Sequence, residues 1–264
     1  MTTMTTMTTK TSLSVTLVQP NLVWEDKLAN LAKMEGLLKT IGQTDLIVLP
    51  EMFTTGFTMN VEALAETMQD QTMMWMKEKA MQWQSIFVGS IIIEEKGKFF
   101  NRLVWVTPEQ EVTWYDKRHL FSMGEEHLYF TPGNQRVTVE WKGWKIRLLI
   151  CYDLRFPVWS RNHDNFDILI YTANWPSARH HVWKNLLVAR ALENQCYCIG
   201  VNRIGNDGMG INYLGDSAFV SPRGDATWLG DIETVRTFAL SREDLHSFRQ
   251  KFPLLPCMDR FVLE

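Results

Sequence analysis

The run Leu46-Ile47-Val48-Leu49, stopped by Pro50, is apolar at every position and keeps no face for water. A strand of this kind suits a sheet covered on both sides, as parallel sheets with flanking helices are. Ile168–Tyr171 has the same character. Helical periodicity alternates with such strands. From Glu25 to Ile41, the residues Leu28, Leu31, Met34, Leu37, Leu38 and Ile41 recur at steps of three and four and form one apolar face. Residues 61–83 predict a second helix, with Met and Trp along it, and Arg179–Asn194 a long one. A short helix is expected near Pro157. Ser241 opens a last helix as Ser-Arg-Glu-Asp, an N-cap with acids in the first turn.

The remaining segments alternate or are rich in strand formers: Leu13–Val18, Ile86–Ile93, Phe99–Val106, Glu111–Tyr115, Arg136–Trp141, Lys145–Ile150, Cys196–Asn202, Asp216–Ser221, Ala226–Leu229 and Thr234–Leu240. Turn signals separate several of them, at Gly97, at Pro108 and at Lys142-Gly143-Trp144. Strands and helices interleave without a linker. One α/β domain over residues 12–264 is therefore expected, after a disordered leader, 1–11, in which Met-Thr-Thr occurs three times.

Charge narrows the partners. Twenty-seven basic and thirty acidic side chains leave a net charge of −3, with no Lys/Arg block to attract nucleic acid or an anionic membrane. No apolar run approaches the ~20 residues that span a bilayer, and the leader lacks the basic and apolar regions of a signal peptide. A soluble, cytoplasmic protein is expected. Its four cysteines, Cys151, Cys196, Cys198 and Cys257, form no C-x-x-C pair and are sparse for a disulfide scaffold. Cys196 and Cys198 alternate in an apolar run and read as small core residues.

Three residues share a place in the pattern. Glu51 follows Leu46–Pro50, Lys117 follows Val112–Tyr115, and Cys151 follows Ile146–Ile150, so each ends a strand-like run. Ligand sites in α/β sheets favour such ends. Taken singly, Cys151 reads equally as a core cysteine, Glu51 as a solvated loop acid, and Lys117 as part of a charged turn.

Together they carry more. Leu-Pro-Glu51-Met-Phe-Thr-Thr-Gly-Phe, Tyr-Asp-Lys117-Arg-His-Leu-Phe and Cys151-Tyr-Asp-Leu-Arg-Phe-Pro, in that order and at that spacing, resemble the three signature blocks of the nitrilase superfamily. Tyr171-Thr-Ala-Asn174-Trp175-Pro176 is similar to the block that lines the family's pocket. The resemblance extends from about Leu13 to Val262. Within the superfamily, Cys-Tyr-Asp-Leu-Arg-Phe-Pro-Val-Trp and Met-Gly-Glu-Glu-His resemble the wording of bacterial omega-amidases. The resemblance implies a four-layer α-β-β-α sandwich, subunits paired as a homodimer through a helical face, and a Glu51-Lys117-Cys151 triad that needs no metal or organic cofactor. It assigns oxyanion binding to Lys117 and the backbone N–H of Tyr152. It also implies a supporting glutamate near the lysine, for which Glu125 and Glu126 are candidates and Glu126 fits the wording better.

The chemistry is consistent with that triad. An amide carbonyl is a poor electrophile, and a free cysteine of pKa about 8.5 is mostly protonated at neutral pH, so the thiol needs a base beside it. Arg155, four residues after Cys151, would be carried back over the same pocket by a helix start, where its guanidinium could bind a carboxylate bidentately. That fits monoamides of 2-oxo dicarboxylic acids, 2-oxoglutaramate and 2-oxosuccinamate. A salt bridge from Arg155 to Asp153 or Glu193 is the other reading. Phe53, Phe121, Asn174 and Trp175 are candidate pocket walls, and Trp175 reads equally as core. Rival functions are an N-carbamoyl hydrolase or a nitrilase on the same triad, and a catalytically silent binding partner, whose hallmark would be a missing triad member. Arg179-His180-His181 suggests no metal, because adjacent helical residues point apart. Gly205, Gly208 and Gly210 read as a loop.

Overall fold

The computed structural model describes residues 11–262, so the predicted leader lies outside the described residues except for Thr11. Fourteen strands are described there: β1 (Ser12–Gln19), β2 (Leu46–Val48), β3 (Ile86–Glu95), β4 (Lys98–Val106), β5 (Val112–Asp116), β6 (Thr138–Trp141), β7 (Trp144–Ile150), β8 (Ile168–Thr172), β9 (Tyr197–Val201), β10 (Ile204–Asn206), β11 (Asn212–Leu214), β12 (Ala218–Val220), β13 (Ala226–Trp228) and β14 (Thr234–Ser241). The longer helices are α1 (Lys27–Leu38), α3 (Gln71–Trp83), α5 (His180–Asn194) and α6 (Arg242–Lys251), with single turns α2 (Val61–Leu64) and α4 (Glu126–Tyr129).

Two six-stranded sheets form, in the orders β14-β1-β2-β3-β4-β5 and β13-β12-β9-β8-β7-β6. Each is built on a parallel triplet, β1-β2-β3 in the first and β7-β8-β9 in the second, with antiparallel strands outside it. The uninterrupted apolar runs fall in these triplets, where both faces are covered. Leu13, Val15, Leu17, Leu46, Val48, Ile86 and Val88 of the first sheet join Ile146, Leu148, Ile168 and Ile170 of the second in one core. On the outside, Leu31, Met34 and Leu38 of α1 and Met73, Met76 and Ala80 of α3 cover Ile47, Phe87 and Val104 of the first sheet. Helix α5 covers the second. A Cβ on Gly200 in β9 would stand 2.6 Å from Leu187 and 2.7 Å from Trp183, so the missing side chain is what lets α5 approach. The expected α-β-β-α sandwich is the architecture observed.

The structure corrects three local expectations. The helix predicted over 61–83 is divided, because residues 65–70 leave the helical path: Glu66 bridges to Ile93 beside β3, and its carboxylate accepts the backbone N–H of Thr72 at 3.0 Å in the first turn of α3. The short helix expected near Pro157 comes earlier, as a 3₁₀ turn over Cys151–Arg155, and residues 157–160 form a turn. The hairpin loop between β6 and β7 is two residues, Lys142 and Gly143, since Trp144 already pairs with Trp141. Ser241 does cap α6, accepting from the N–H of Asp244.

Candidate active site

Strands β2, β5, β7 and β8 deliver their C-terminal ends to one place. Glu51 stands three residues past β2, in the turn that follows Pro50. Lys117 follows β5, and its N–H donates to the carbonyl of Asn101 at 3.0 Å, so β5 holds it to β4. Cys151 follows β7 directly, and Asn174 lies just beyond β8. The structure thereby brings Glu51, Lys117, Cys151 and Asn174 together from four separate segments.

The polar cluster they make is buried. Glu51, Lys117 and Glu126 all have side chains with no exposure to solvent. Lys117 Nζ donates to Glu51 Oε1 at 2.8 Å and contacts both oxygens of Glu126, at 3.0 and 2.9 Å. Asn101 Nδ2 donates to Glu51 Oε1 at 2.8 Å and to Glu126 Oε1 at 3.1 Å. The second oxygen of Glu51 accepts the backbone N–H of Asn174 at 2.8 Å, and the side-chain amide of Asn174 donates to the Glu51 carbonyl at 2.6 Å. The second oxygen of Glu126 accepts the N–H of Phe121 at 2.6 Å. Each carboxylate is thus fixed from two sides, which an ion pair out of water requires if it is not to cost stability. Of the two adjacent glutamates, Glu126 meets Lys117, while Glu125 is exposed at the rim of the cavity.

Electrostatics set the resting protonation. Burial alone would lower the pKa of Lys117, but the charges of Glu126 and Glu51 outweigh it and hold the ammonium firmly protonated. Burial raises Glu126 above the ordinary carboxylate range, against the pull of Lys117. Burial also pushes the Cys151 thiol well up, and the charge of Glu51 pushes the same way, while Lys117 opposes. The resting sulfur is therefore a thiol, with an acceptor carboxylate beside it.

Cys151 has φ of +40°, the left-handed region, which costs a non-glycine residue about 1–3 kcal/mol and needs surrounding structure to hold it. Asp153 supplies that. Its buried carboxylate accepts the N–H of Ile150 at 3.0 Å, the hydroxyl of Tyr115 at 2.7 Å and the N–H of His119 at 3.0 Å, with the His119 ring nitrogen 2.7 Å away. Trp159 donates in turn to the Tyr115 hydroxyl at 3.0 Å. This network ties the sharp turn at the sulfur to both the second sheet and the loop that carries Lys117.

A cavity of about 710 Å³ opens onto the cluster. Lys117, Phe121, Cys151, Tyr152, Arg155, Asn174 and Trp175 all line it. Arg155 forms no ion pair among the described residues: Asp153 is engaged as above, and Glu193 pairs with Arg190 at 2.9 Å. Its guanidinium lies instead over Trp175, 5.3 Å from the ring centre. Trp175 serves both readings, since it lines the cavity and is also buried in the main core. Phe53 does not line the cavity. Its N–H donates to the carbonyl of Ser90, which turns the ring outward onto Gly89 and Trp75, in the core under α3. The phenylalanine of this segment that does line the cavity is Phe57, with Lys117 Nζ 5.3 Å from its ring centre.

Two residues escaped the sequence reading as parts of this site. Asn101 sits mid-strand in β4, its side-chain oxygen Oδ1 accepting from Ser90 Oγ at 2.8 Å. A buried polar residue in each of two adjacent strands, Ser90 in β3 and Asn101 in β4, was the available signal. Arg179, noted only beside two histidines, lines the cavity with its guanidinium over Phe121 at 5.1 Å. Gly205 is not in a loop but pairs with Tyr213 within β10, whereas Gly208 and Gly210 do lie in a loop, as expected. That loop joins β10 to β11 and brings Asp207, Met209 and Ile211 to the mouth of the cavity.

Residues 14–250 match the carbon-nitrogen hydrolase family. The chain belongs to that family. Omega-amidase YafV of Escherichia coli K12 is 47% identical over 254 residues, covering 95% of this chain and 98% of that one. The 2-oxoglutaramate amidase of Bacillus subtilis is 35% identical over 201 residues, 74% of this chain and 77% of that one. Among solved structures, a carbon-nitrogen hydrolase superfamily protein of Xanthomonas campestris, with an arsenic adduct in its active site, superposes with a TM-score of 0.93 at 42% identity, covering 96% of this chain and 99% of that one. For a carbon-nitrogen hydrolase the cluster around Glu51 stands out, because there a thiol and an ammonium line one cavity and the buried Glu51 carboxylate is bonded to that ammonium. No group of metal-ligating side chains occurs among the described residues, and no helix there is long and apolar enough to cross a membrane.

Proposed function

We propose that this carbon-nitrogen hydrolase is an omega-amidase, hydrolysing the terminal amide of small 2-oxo dicarboxylate monoamides such as 2-oxoglutaramate and 2-oxosuccinamate. The observation that carries the reading is one cavity with a buried Glu51-Lys117-Cys151 cluster and, on its wall, an Arg155 without a carboxylate partner. The names of the Escherichia coli and Bacillus subtilis relatives support it.

Glu51 takes the thiol proton as Cys151 Sγ bonds to the amide carbon, and the carbonyl becomes an oxyanion. Lys117 and the N–H of Tyr152 stabilise that charge, each worth roughly 3–4 kcal/mol in a preorganised site. The contact of Lys117 with both Glu126 oxygens can be served by a single N–H, which leaves a donor for the cavity it lines. Glu51 returns its proton to the departing nitrogen, ammonia leaves, and a thioester remains on Cys151. Water, deprotonated by Glu51, attacks that thioester and releases the acid and the thiol. Glu126 and Asn101 hold Lys117 and Glu51 in place throughout. Arg155 binds the far carboxylate. Phe121, Asn174 and Trp175 complete the walls around the acyl chain.

The same proposal places the enzyme in the cytoplasm as a homodimer, in keeping with four free cysteines and a near-neutral charge. Ammonia release tests the substrate reading. The 2-oxo acid amides are expected to have the highest kcat/KM among a panel that includes N-carbamoyl amino acids and aliphatic nitriles. Arg155→Ala is expected to raise KM for them roughly 10- to 100-fold, the worth of a charged hydrogen bond. Preference for a carbamoyl amino acid or a nitrile would replace the reading with one of its rivals.

A further inference from the structure

Arg155 is not the only unpaired cation on the cavity. Arg179 lines it too, and neither has an ion pair among the described residues. Elsewhere four arginines near the core are matched by acids, Arg102 with Asp116 and Glu95, Arg147 with Asp164, Arg190 with Glu193 and Arg249 with Asp167, while the buried Arg203 donates to the backbone carbonyls of Leu22, Ile204 and Asn206. The acids on the cavity are largely spoken for. Asp207 accepts from the Tyr213 hydroxyl and from the N–H groups of Met209 and Ile211, all at 2.9 Å. Glu25 accepts from Thr58 and Asn60. Glu125 is the exception, exposed at the rim.

The position of Arg179 is also built. Its N–H donates to the carbonyl of Pro176 at 3.0 Å, and its own carbonyl accepts Trp175 Nε1 at 2.9 Å. The segment that turns from Trp175 into α5 is thereby closed on itself. The guanidinium rests on Phe121, whose N–H is bound by Glu126 and whose ring meets Tyr152 edge-on at 5.2 Å. Arg155 rests on Trp175 in the same way. Stacking on an aromatic face orients a guanidinium without consuming its N–H donors.

We propose that Arg179 is a second specificity-determining residue, which with Arg155 reads the acid end of the substrate as a 2-oxo carboxylate and disfavours the corresponding 2-amino acid amide. The inference rests on the omega-amidase reading. Its chemistry is donor matching. Guanidinium groups carry N–H donors and no acceptor, and both are cationic. A 2-oxo acid end offers only acceptor oxygens and a negative charge, so every group meets a partner. The 2-amino acid end of glutamine adds an ammonium, with a positive charge and three donors that two guanidiniums cannot satisfy. Leaving such donors unpaired is what makes polar discrimination steep.

The test measures kcat and KM for the unaltered enzyme, Arg179→Ala and Arg179→Lys on 2-oxoglutaramate, glutamine and butanamide. Arg179→Ala is expected to lower kcat/KM on 2-oxoglutaramate roughly 10- to 100-fold, chiefly through KM, the range for a charged hydrogen bond. The loss on uncharged butanamide is expected to be at least about tenfold smaller, and the preference for 2-oxoglutaramate over glutamine to narrow. Arg179→Lys, which keeps the charge without the planar fork, should fall between the two. Should Arg179→Ala fold poorly, the same comparison in Arg179→Lys decides. Equal losses on 2-oxoglutaramate and butanamide, or an unchanged preference over glutamine, would overturn the inference alone. An unaltered enzyme that does not hydrolyse 2-oxoglutaramate would overturn the substrate reading, and this inference with it.

Discussion

The two ends of the cavity are built on opposite terms. At the closed end Glu51, Lys117 and Glu126 are buried, and Asn101, Asn174 and Phe121 supply the hydrogen bonds that fix both carboxylates. Towards the cavity Arg155 and Arg179 stand without a carboxylate partner among the described residues, each over an aromatic ring, in a lining that also includes the mostly exposed Met123 and Met209. The closed end has paid its desolvation in the folded state and has little left to reorganise, as stabilising a developing charge demands. On the proposed function, the arginines are completed by the substrate's acid end. A difference of this kind separates turnover from selection: changes at the closed end should fall on kcat, and changes at the open end on KM.

The largest effect expected is at Cys151. Cys151→Ala removes the atom to which the proposed mechanism attaches the acyl group, and turnover of any amide should fall by roughly four orders of magnitude or more. Asp153 and its four contacts are untouched, so stability should change by about 1 kcal/mol or less. Steady-state ammonia release and thermal unfolding check both halves. Substantial turnover by Cys151→Ala would break the assignment of the closed end to chemistry.

Next in size is the contrast between neighbours. Glu126→Gln takes one of two carboxylates from Lys117 inside a buried cluster, and kcat should fall roughly 100-fold with KM little changed. Glu125→Gln alters an exposed rim acid and should cost less than about threefold. Kinetics of the two variants side by side sharpen where the closed end stops. Losses of similar size would mean that the boundary lies further out than the burial of Glu126 suggests.

How far the sequence could be read follows the same division. Glu51, Lys117 and Cys151 stand at strand ends that the apolar runs announce, so a local pattern leads to each. The α/β class follows from runs covered on both faces, and the four-layer sandwich from the family resemblance. Asn101 was not legible, because its partner Ser90 lies on a different strand and only the antiparallel register of β3 and β4 places them near each other. Phe53 was misread for a related reason. It lies four positions before Phe57, both follow Glu51, and what decides between core and cavity is the bond from the Phe53 N–H to Ser90. The break at residues 65–70 is likewise invisible to helical periodicity, since it depends on pairing with β3. Pairing across distant strands, not local propensity, is what the sequence withheld.

A further test concerns the proton on Cys151 at the closed end before substrate arrives, and it reads a reaction rate and not a variant's loss. Burial and the charge of Glu51 both raise the thiol, against Lys117, so the neutral thiol dominates from pH 7 to beyond pH 9. Only thiolate reacts with a small neutral reagent such as methyl methanethiosulfonate. Below the pKa the thiolate fraction grows with pH, so the rate of inactivation should climb by about tenfold per pH unit across that range without levelling off. Loss of amidase activity is the signal to follow, because the exposed Cys257 will also be labelled. A plateau reached below about pH 8 would mean a resting thiolate paired with Lys117. Glu51 would then have no proton to take in the first step, and the closed end would be an ion pair waiting for substrate instead of an acid–base pair.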